Sequence, residues 1–407
     1  MERDQALNFI NGLLRLMSTK NASDLFITAD FPPALKIDGR IMPVSNQVLT
    51  MQHTASVAQA IMNDRQATEF ESSKECNFAI SPKGIGRFRV SAFIQQGCTG
   101  MVIRVINTHI PTLDDLQLPP VLKEIAMTKR GLVVFVGGTS TGKTTSLAAL
   151  INYRNENSRD HIIALESPIE YVHAHKNCIV TQREIGTDTE DWEIALKNSL
   201  RQAPDVILIG EIRDRKTMEY AITFAETGHL CLATLHANNA NQAIDRIVNF
   251  FPEERREQLL MDLSLNLRGF ISQRLISRKN RAGRIAAVEV LLNSPLIADL
   301  IFRNEIYEIK EIMKKSRELG MQTFDQALFD LFEGDMITYE DALRNADSPN
   351  DLRLQIKLQS KYSFDHDLTA KLGHLTITEE TPVQSQSKAL PHTASQVLSL
   401  SSLGLKE

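Results

Sequence analysis

Gly137-Gly138-Thr139-Ser140-Thr141-Gly142-Lys143-Thr144 satisfies Gly-x4-Gly-Lys-Ser/Thr and directly follows the apolar run Leu132-Val133-Val134-Phe135-Val136. Strand, glycine loop and helix in that order make a phosphate-cradling P-loop. Gly137 and Gly142 allow backbone dihedrals that side chains resist, so that N–H groups turn toward phosphate oxygens, and the helix that follows adds its positive end. Lys143 supplies a mobile charge for the β- and γ-phosphates. Thr144 offers a hydroxyl to a magnesium ion bridging the same phosphates, with Thr145 beside it on the first helical turn. The expected ligands are ATP and Mg2+; the bland alternative is a glycine-rich turn that holds no phosphate.

The surrounding sequence has the matching alternation. Aliphatic runs at Leu132–Val136, Ile162–Leu165, Val206–Ile209, Leu230–Thr234 and Ala286–Leu292 alternate with helical segments. Continuous rather than alternating apolar character is what parallel strands buried on both faces require, so the expectation is a doubly wound α/β domain over 122–360. Helical repeats at Phe324–Phe332 and Tyr339–Arg344 give it a small C-terminal helical subdomain. Residues 1–110 read as a separate α/β unit. Ala6, Phe9, Ile10, Leu13, Leu14 and Met17 share one helical face, and a hairpin turns at Asp38-Gly39. A second helix near His53–Met62 precedes strands at Ile85–Gln95 and Met101–Ile106. Pro111 and Pro119-Pro120 mark a linker over 111–121. From 361 to 407 the composition shifts to Ser, Thr, Gln and Pro, which predicts a disordered tail in which Val397–Leu403 alternates enough to dock on a partner.

Composition narrows the classes. The chain has 407 residues, 43% of them hydrophobic, which is enough for two or three domains. A formal charge of -5 argues against a whole-surface nucleic-acid footprint. Cys76, Cys98, Cys178 and Cys231 are widely spaced, with no zinc-ligand pattern, and read as small apolar residues in a reducing cytoplasm. No apolar run approaches the ~18 residues of a membrane span, so membrane association is expected only through partners.

A P-loop needs acids downstream. Val206-Ile207-Leu208-Ile209-Gly210-Glu211 is a strand ending in a carboxylate at the edge where ligands of open α/β sheets bind, which makes Glu211 the candidate to hold magnesium or its waters. Ile162–Leu165 runs into Glu166-Ser167-Pro168-Ile169-Glu170, so Glu166 or Glu170 can polarise the attacking water. Taken singly, each also reads as a solvated strand-end acid. His229 precedes the Leu230–Thr234 strand and His236 follows it. His236 therefore shares the carboxyl edge with Glu211 and can sense the γ-phosphate, whereas His229 belongs to the opposite edge unless the strand is short. Arg268, Arg274, Arg278, Lys279, Arg281 and Arg284 form a basic stretch, read as a solvated loop in preference to a nucleic-acid track.

Together the P-loop, Leu165–Tyr171, Pro204–Arg213 and Glu226–Ala237 resemble the type IV pilus and type II secretion ATPases, over about residues 4 to 358. The likeness is nearest the PilT/PilU family of retraction ATPases, and Gln182-Arg183-Glu184, Asn238-Asn239-Ala240 and Met321–Leu328 point to its PilU side. The resemblance implies a PAS-like N-terminal domain joined to a RecA-like ATPase domain. It also implies a homo-hexameric ring, ATP-driven pilus retraction serving twitching motility and DNA uptake, and work on an inner-membrane platform protein beside a PilT-like partner motor. By the same likeness Lys143 and Thr144 are Walker A residues, Glu166 and Glu170 the acidic box, Glu211 the Walker B glutamate, and His229 and His236 the histidine box. Arg87, Arg89 and Arg104 are the N-terminal arginines that would reach phosphate; equally, they read as surface charges on edge strands. Two departures stand out. Ser167 replaces the aspartate of the Glu-Asp-Pro acidic box, and Ile297–Arg303 stands where retraction motors carry Ala-Ile-Arg-Ala-Gly. The four-cysteine zinc insertion of assembly and secretion ATPases has no counterpart, which argues against an extension motor.

Overall fold

The computed structural model describes residues 2–37, 39–106, 109–280 and 283–362, and residues 2–360 of these belong to one compact unit. Asp38 of the expected turn, Arg281 of the basic stretch and the Val397–Leu403 alternation lie outside the described residues.

The N-terminal part forms an antiparallel sheet from β1 (Asp24–Ile27), β2 (Ala34–Ile37), β3 (Arg40–Pro43), β4 (Glu75–Ile80), β5 (Arg87–Gln95) and β6 (Cys98–Ile106), in the order β3-β2-β1-β6-β5-β4. Helix Arg3–Thr19 lays Ala6, Ile10, Leu14 and Met17 onto it, at the spacing read from the sequence, and helix Met51–Ile61 adds Val57 and Ala58. Along β5 the pleat buries Phe88, Val90 and Ala92 and turns Arg87, Arg89 and Ser91 the other way. β4 and the helix Asp64–Ser73, capped by Asn63, were not foreseen.

The second sheet contains β7 (Gly131–Val136), β8 (His161–Glu166), β9 (Ile179–Glu184), β10 (Val206–Ile209), β11 (Leu230–Leu235), β12 (Leu267–Ser277) and β13 (Arg284–Leu292), in the order β13-β12-β7-β11-β10-β8-β9. All of β7 to β12 pair in parallel, while β13 returns antiparallel against β12. Alternate residues of one strand feed opposite layers. Leu132, Val134 and Val136 pack with helices Arg215–Glu226, Ala240–Asn249 and Glu253–Asn266, whereas Val133 and Phe135 pack with helix Lys143–Asn157. Each such buried aliphatic or aromatic side chain contributes roughly 1.5–3 kcal/mol, and this two-sided burial is why the runs carry no polar alternation. Leu113 and Leu118, in the expected linker, bury in the same layer as Val133 and Phe135. The helices Phe324–Glu333, Tyr339–Asn345 and Pro349–Gln359 cluster over Ile276, Ile285 and Ala287.

Two sequence expectations are corrected, and one strand was missed. The first part of the basic stretch, Arg268 and Arg274, is not a solvated loop but lies on a mostly buried interior strand, β12. The Ala286–Leu292 run is a strand, but antiparallel rather than part of the parallel set, because the six residues between Ser277 and Arg284 are too few for the crossover that parallel pairing needs. β9 was missed because only Val180 and Glu184 of it are fully buried.

Candidate functional site

The topology brings the carboxyl ends of β7, β8, β10 and β11 to one edge of the sheet. There they deliver the P-loop, the Glu166–Glu170 segment, Gly210-Glu211 and His236 to a single cavity of about 600 Å³. Its wall includes Thr139, Ser140, Thr141, Gly142, Lys143, Thr144 and Thr145, together with Glu166, Glu170, Glu211 and His236.

The loop shape depends on two glycines. Gly142, at φ +86°, caps the helix Lys143–Asn157 with a left-handed backbone. A Cβ on Gly137 would lie 2.5 Å from Thr141 Oγ1 and 2.9 Å from the Gln273 carbonyl oxygen, so no side chain fits. The Lys143 ammonium is folded over its own loop, donating to the carbonyls of Gly137 at 2.8 Å and Gly138 at 2.7 Å. Burial holds its pKa below the usual lysine range, and the nearby carboxylates of Glu211 and Glu170 work against that shift. Thr145 Oγ1 meets the Tyr171 hydroxyl at 2.9 Å, which ties the first turn of the helix to the acidic segment.

The acids differ in setting. Glu166 is buried, and burial lifts its carboxyl to about 7; donation from Gln182 Nε2 at 3.1 Å pulls the value back toward ionisation. The same Gln182 amide donates to the Tyr171 carbonyl at 2.8 Å, and its oxygen accepts from the His173 N–H at 2.9 Å. One β9 side chain therefore holds three points of the acidic segment. Glu184, two residues along on the same face, accepts the Ile169 N–H at 3.2 Å. Glu170 is exposed in the cavity, and Ser167 lines it where the resemblance has an aspartate. Glu211 accepts from Arg213 Nε at 2.8 Å through Oε2 and lies 3.2 Å from His236 Nε2 through Oε1. Burial, then the Lys143 charge, keeps the His236 imidazole below its ordinary pKa, and Glu211 opposes them.

His229 is not part of this group. It stands before β11, at the opposite sheet edge, about 23 Å from His236 at ~3.3 Å per strand residue, with Nδ1 near Thr227 Oγ1 (3.0 Å) and the Phe224 carbonyl (3.1 Å). The three N-terminal arginines also part company. Arg104 lines the cavity with its side chain 68% exposed, held by Asp24 at 2.8 Å. Arg89 is its cross-strand neighbour but is absent from the wall, and Arg87 instead approaches Glu184 at 3.9 Å. Sequence reasoning missed Trp192, Arg213, Thr234 and Leu275 in the wall, as well as Gln273, whose Oε1 accepts from Ser146 Oγ at 2.8 Å. Arg284 also lines the cavity, although the sequence had placed it only in the basic stretch. Elsewhere in that stretch, Arg268 donates to the Arg130 carbonyl and Arg274 pairs with Asp347.

The donors suit magnesium. Thr144 and Glu211 offer hard oxygen, and among the described residues no group of three or more His, Cys, Asp or Glu side chains makes a self-sufficient metal cage. Mg2+ is characteristically held this way, by one or two protein oxygens with substrate phosphates completing the shell. No helix among the described residues is long and apolar enough to cross a membrane.

Comparison with known proteins agrees with this geometry. The family model described as "Type II/IV secretion system protein" matches residues 2–329. The type IV pilus ATPase PilU of Pseudomonas aeruginosa is 59% identical over 372 residues, covering 91% of this chain and 97% of that protein. The pilus retraction ATPase PilT of the same organism is 38% identical over 340 residues, covering 84% and 98%. Among solved structures, the pilus retraction motor PilT with bound ADP superposes with a TM-score of 0.80 at 36% identity, covering 85% of this chain and 99% of that one.

Proposed function

The chain belongs to the type II/IV secretion system protein family and, within it, to the PilT/PilU pilus ATPases; from that premise we propose that this P-loop ATPase is a retraction motor subunit, acting in a homo-hexameric ring on the cytoplasmic face of the inner membrane. The observation that carries this reading is the convergence of Lys143 with three carboxylates, Glu166, Glu170 and Glu211, on one polar cavity. A PAS-like N-terminal domain would supply Arg104 to the nucleotide. The ring would pull on a platform protein beside a PilT-like motor, and the pilus movement so produced would serve twitching motility and DNA uptake.

In this reading the P-loop amides and Lys143 hold the triphosphate of ATP, and Glu166 takes the proton of the attacking water. A carboxyl lifted to about 7 is still substantially ionised at neutral pH, yet basic enough to accept that proton. Glu170 orders the water from the exposed side of the cavity. Thr144 and Glu211 would hold Mg2+, which would neutralise charge on the departing phosphate. His236, anchored on Glu211, faces the γ-phosphate and reports its presence along β11. His229, at the far edge of the same subunit, would act outside this cavity.

The test is phosphate release by the purified protein on ATP and magnesium, alone and with the partner motor, alongside its mass in solution. Magnesium-dependent turnover from a six-fold assembly is expected; properly folded protein that neither binds nor hydrolyses ATP sinks the proposal. Ser167 motivates a second reading, an accessory subunit that binds nucleotide and docks on a PilT-like ring with little turnover of its own. Restored retraction by a Lys143→Ala protein in a strain lacking this chain would favour it, and failed rescue would count against it.

A further inference from the structure

β12 faces two parts of the molecule at once. Its odd-numbered residues meet the P-loop: an added Cβ on Gly142 would lie 2.8 Å from Gln273 Nε2 and 3.4 Å from Leu275 Cδ1. Its even-numbered residues meet the segment that continues from His236. Ser272 Oγ donates to Glu289 Oε1 at 2.9 Å, and that same oxygen accepts the Ala240 N–H at 2.8 Å. Arg274 donates to the Asn238 carbonyl at 3.3 Å and to Asp347 Oδ1 at 2.6 Å, while Asn239 Nδ2 reaches Asp347 Oδ2 at 3.4 Å. Asn238-Asn239-Ala240, singled out by resemblance alone, is thus gripped at each of its three residues.

Asp347, between two of the C-terminal helices, ties this grip to the C-terminal subdomain. Asp347 is fixed from three sides. Its backbone N–H, with that of Ser348, donates to Asp325 at 2.8 and 3.1 Å, and its carboxylate takes both Arg274 and Lys310. The Arg274 guanidinium lies 3.9 Å from the centroid of the Phe324 ring, and it also donates to the Asn345 carbonyl. Glu289 is fully buried, and its second oxygen has no partner among the described residues, whose hydrogen bonds to this carboxyl come from Ser272 and Ala240. A stacked arginine whose guanidinium spans two carbonyls and a carboxylate is a rigid strut, not a solvated charge.

The geometry points to Arg274, together with Asp347 and Glu289, as positioning residues that set the placement of His236 against Glu211 from the C-terminal helical subdomain. This inference rests on the ATPase reading above, deepens it, and assigns these residues no contact with substrate. A displacement of about 1 Å at such a site is worth up to ~100-fold in rate, so loss of one strut of several is expected to lower kcat by about 10-fold.

The experiment is a mutant cycle on the full chain, Arg274→Ala, His236→Ala and the double variant, followed by ATP turnover and by hydrogen exchange of the 237–243 amides. Three results are expected. Arg274→Ala lowers kcat about 10-fold with KM for ATP within about 2-fold; it costs nothing further in the His236→Ala background; and Arg274→Lys, which keeps the charge but neither the planar fork nor the stacking, recovers little of the loss. Exchange at 237–243 should quicken while helix Lys143–Asn157 stays protected, a readout that holds even where turnover is absent. Should Arg274→Ala fail to fold, Asp347→Asn, which keeps the shape but removes the charge that anchors Arg274, takes its place in the cycle. Additive losses in the double variant, a KM rise without a kcat change, or unchanged exchange would each overturn the inference. An inactive wild-type protein with the exchange change intact would strike only at the ATPase reading.

Discussion

Gln182 Nε2 lies 3.1 Å from Glu166 Oε1, and this is the only hydrogen bond that a described side chain makes to that carboxyl. The bond favours the ionised form, while burial favours the neutral one and dominates. Gln182→Leu should therefore raise the Glu166 pKa further. If Glu166 must be ionised to accept the water's proton, the acid limb of the kcat profile moves to higher pH, by about one unit for a charge-assisted bond. An unchanged acid limb in a variant with normal ATP affinity would remove Glu166 from the base role.

Lys143→Ala should abolish turnover without unfolding the protein. The ammonium is held by two carbonyls of its own loop and takes no part in the hydrophobic clusters, so the cost to stability is small. The loss of a charge aimed at the transferred phosphoryl group is large, on the order of 100-fold or more in kcat. Phosphate release and a thermal melt on the same preparation separate the two effects.

Gly137→Ala tests the shape of the loop instead of its charge. The added methyl would press on Thr141 Oγ1 and on the Gln273 backbone, and a backbone neighbour cannot swing aside. Separating β12 from the loop should cost about 1–3 kcal/mol of stability and weaken ADP binding at least about 10-fold, because the N–H groups lose their common focus. Calorimetric titration with ADP is the measurement, and wild-type affinity would contradict a cradle that depends on Gly137.

The parallel core was legible because its physics is local. β7, β8, β10 and β11 are buried on both faces, so each had to be a continuous aliphatic run, and the P-loop pattern is contiguous in the chain. β12 was illegible for the opposite reason. Arg268, Ser272, Gln273, Arg274 and Ser277 look like a polar loop because their partners are remote: Gln273 bonds Ser146, 127 residues away, and Arg274 bonds Asp347, 73 residues away. The direction of β13 could not be read from an apolar run, which carries no sign of parallel or antiparallel pairing. Within the site, strand-end placement gave Glu211 and His236. The role of Gln182 on an edge strand became visible only when β9 was laid beside β8.

Glu289 allows a stability test independent of catalysis. Its folded pKa is raised from 4.5 to about 7, chiefly by burial. The sign follows from linkage. Between these values the folded state keeps a proton that the unfolded chain has released, so stability is fully present below about pH 4.5, falls as pH rises toward 7, and then levels off. The span corresponds to on the order of 3 kcal/mol. Glu289→Gln keeps the shape and the acceptor oxygen for Ser272 and Ala240 but cannot ionise, so it should lack that component of the decline. Denaturant unfolding of both proteins from pH 5 to 8 should show the variant gaining on the wild type as pH rises, with the difference flat above about 7.5. Parallel curves across that range would mean that Glu289 is ionised in the folded protein throughout, with the Lys310 charge outweighing burial.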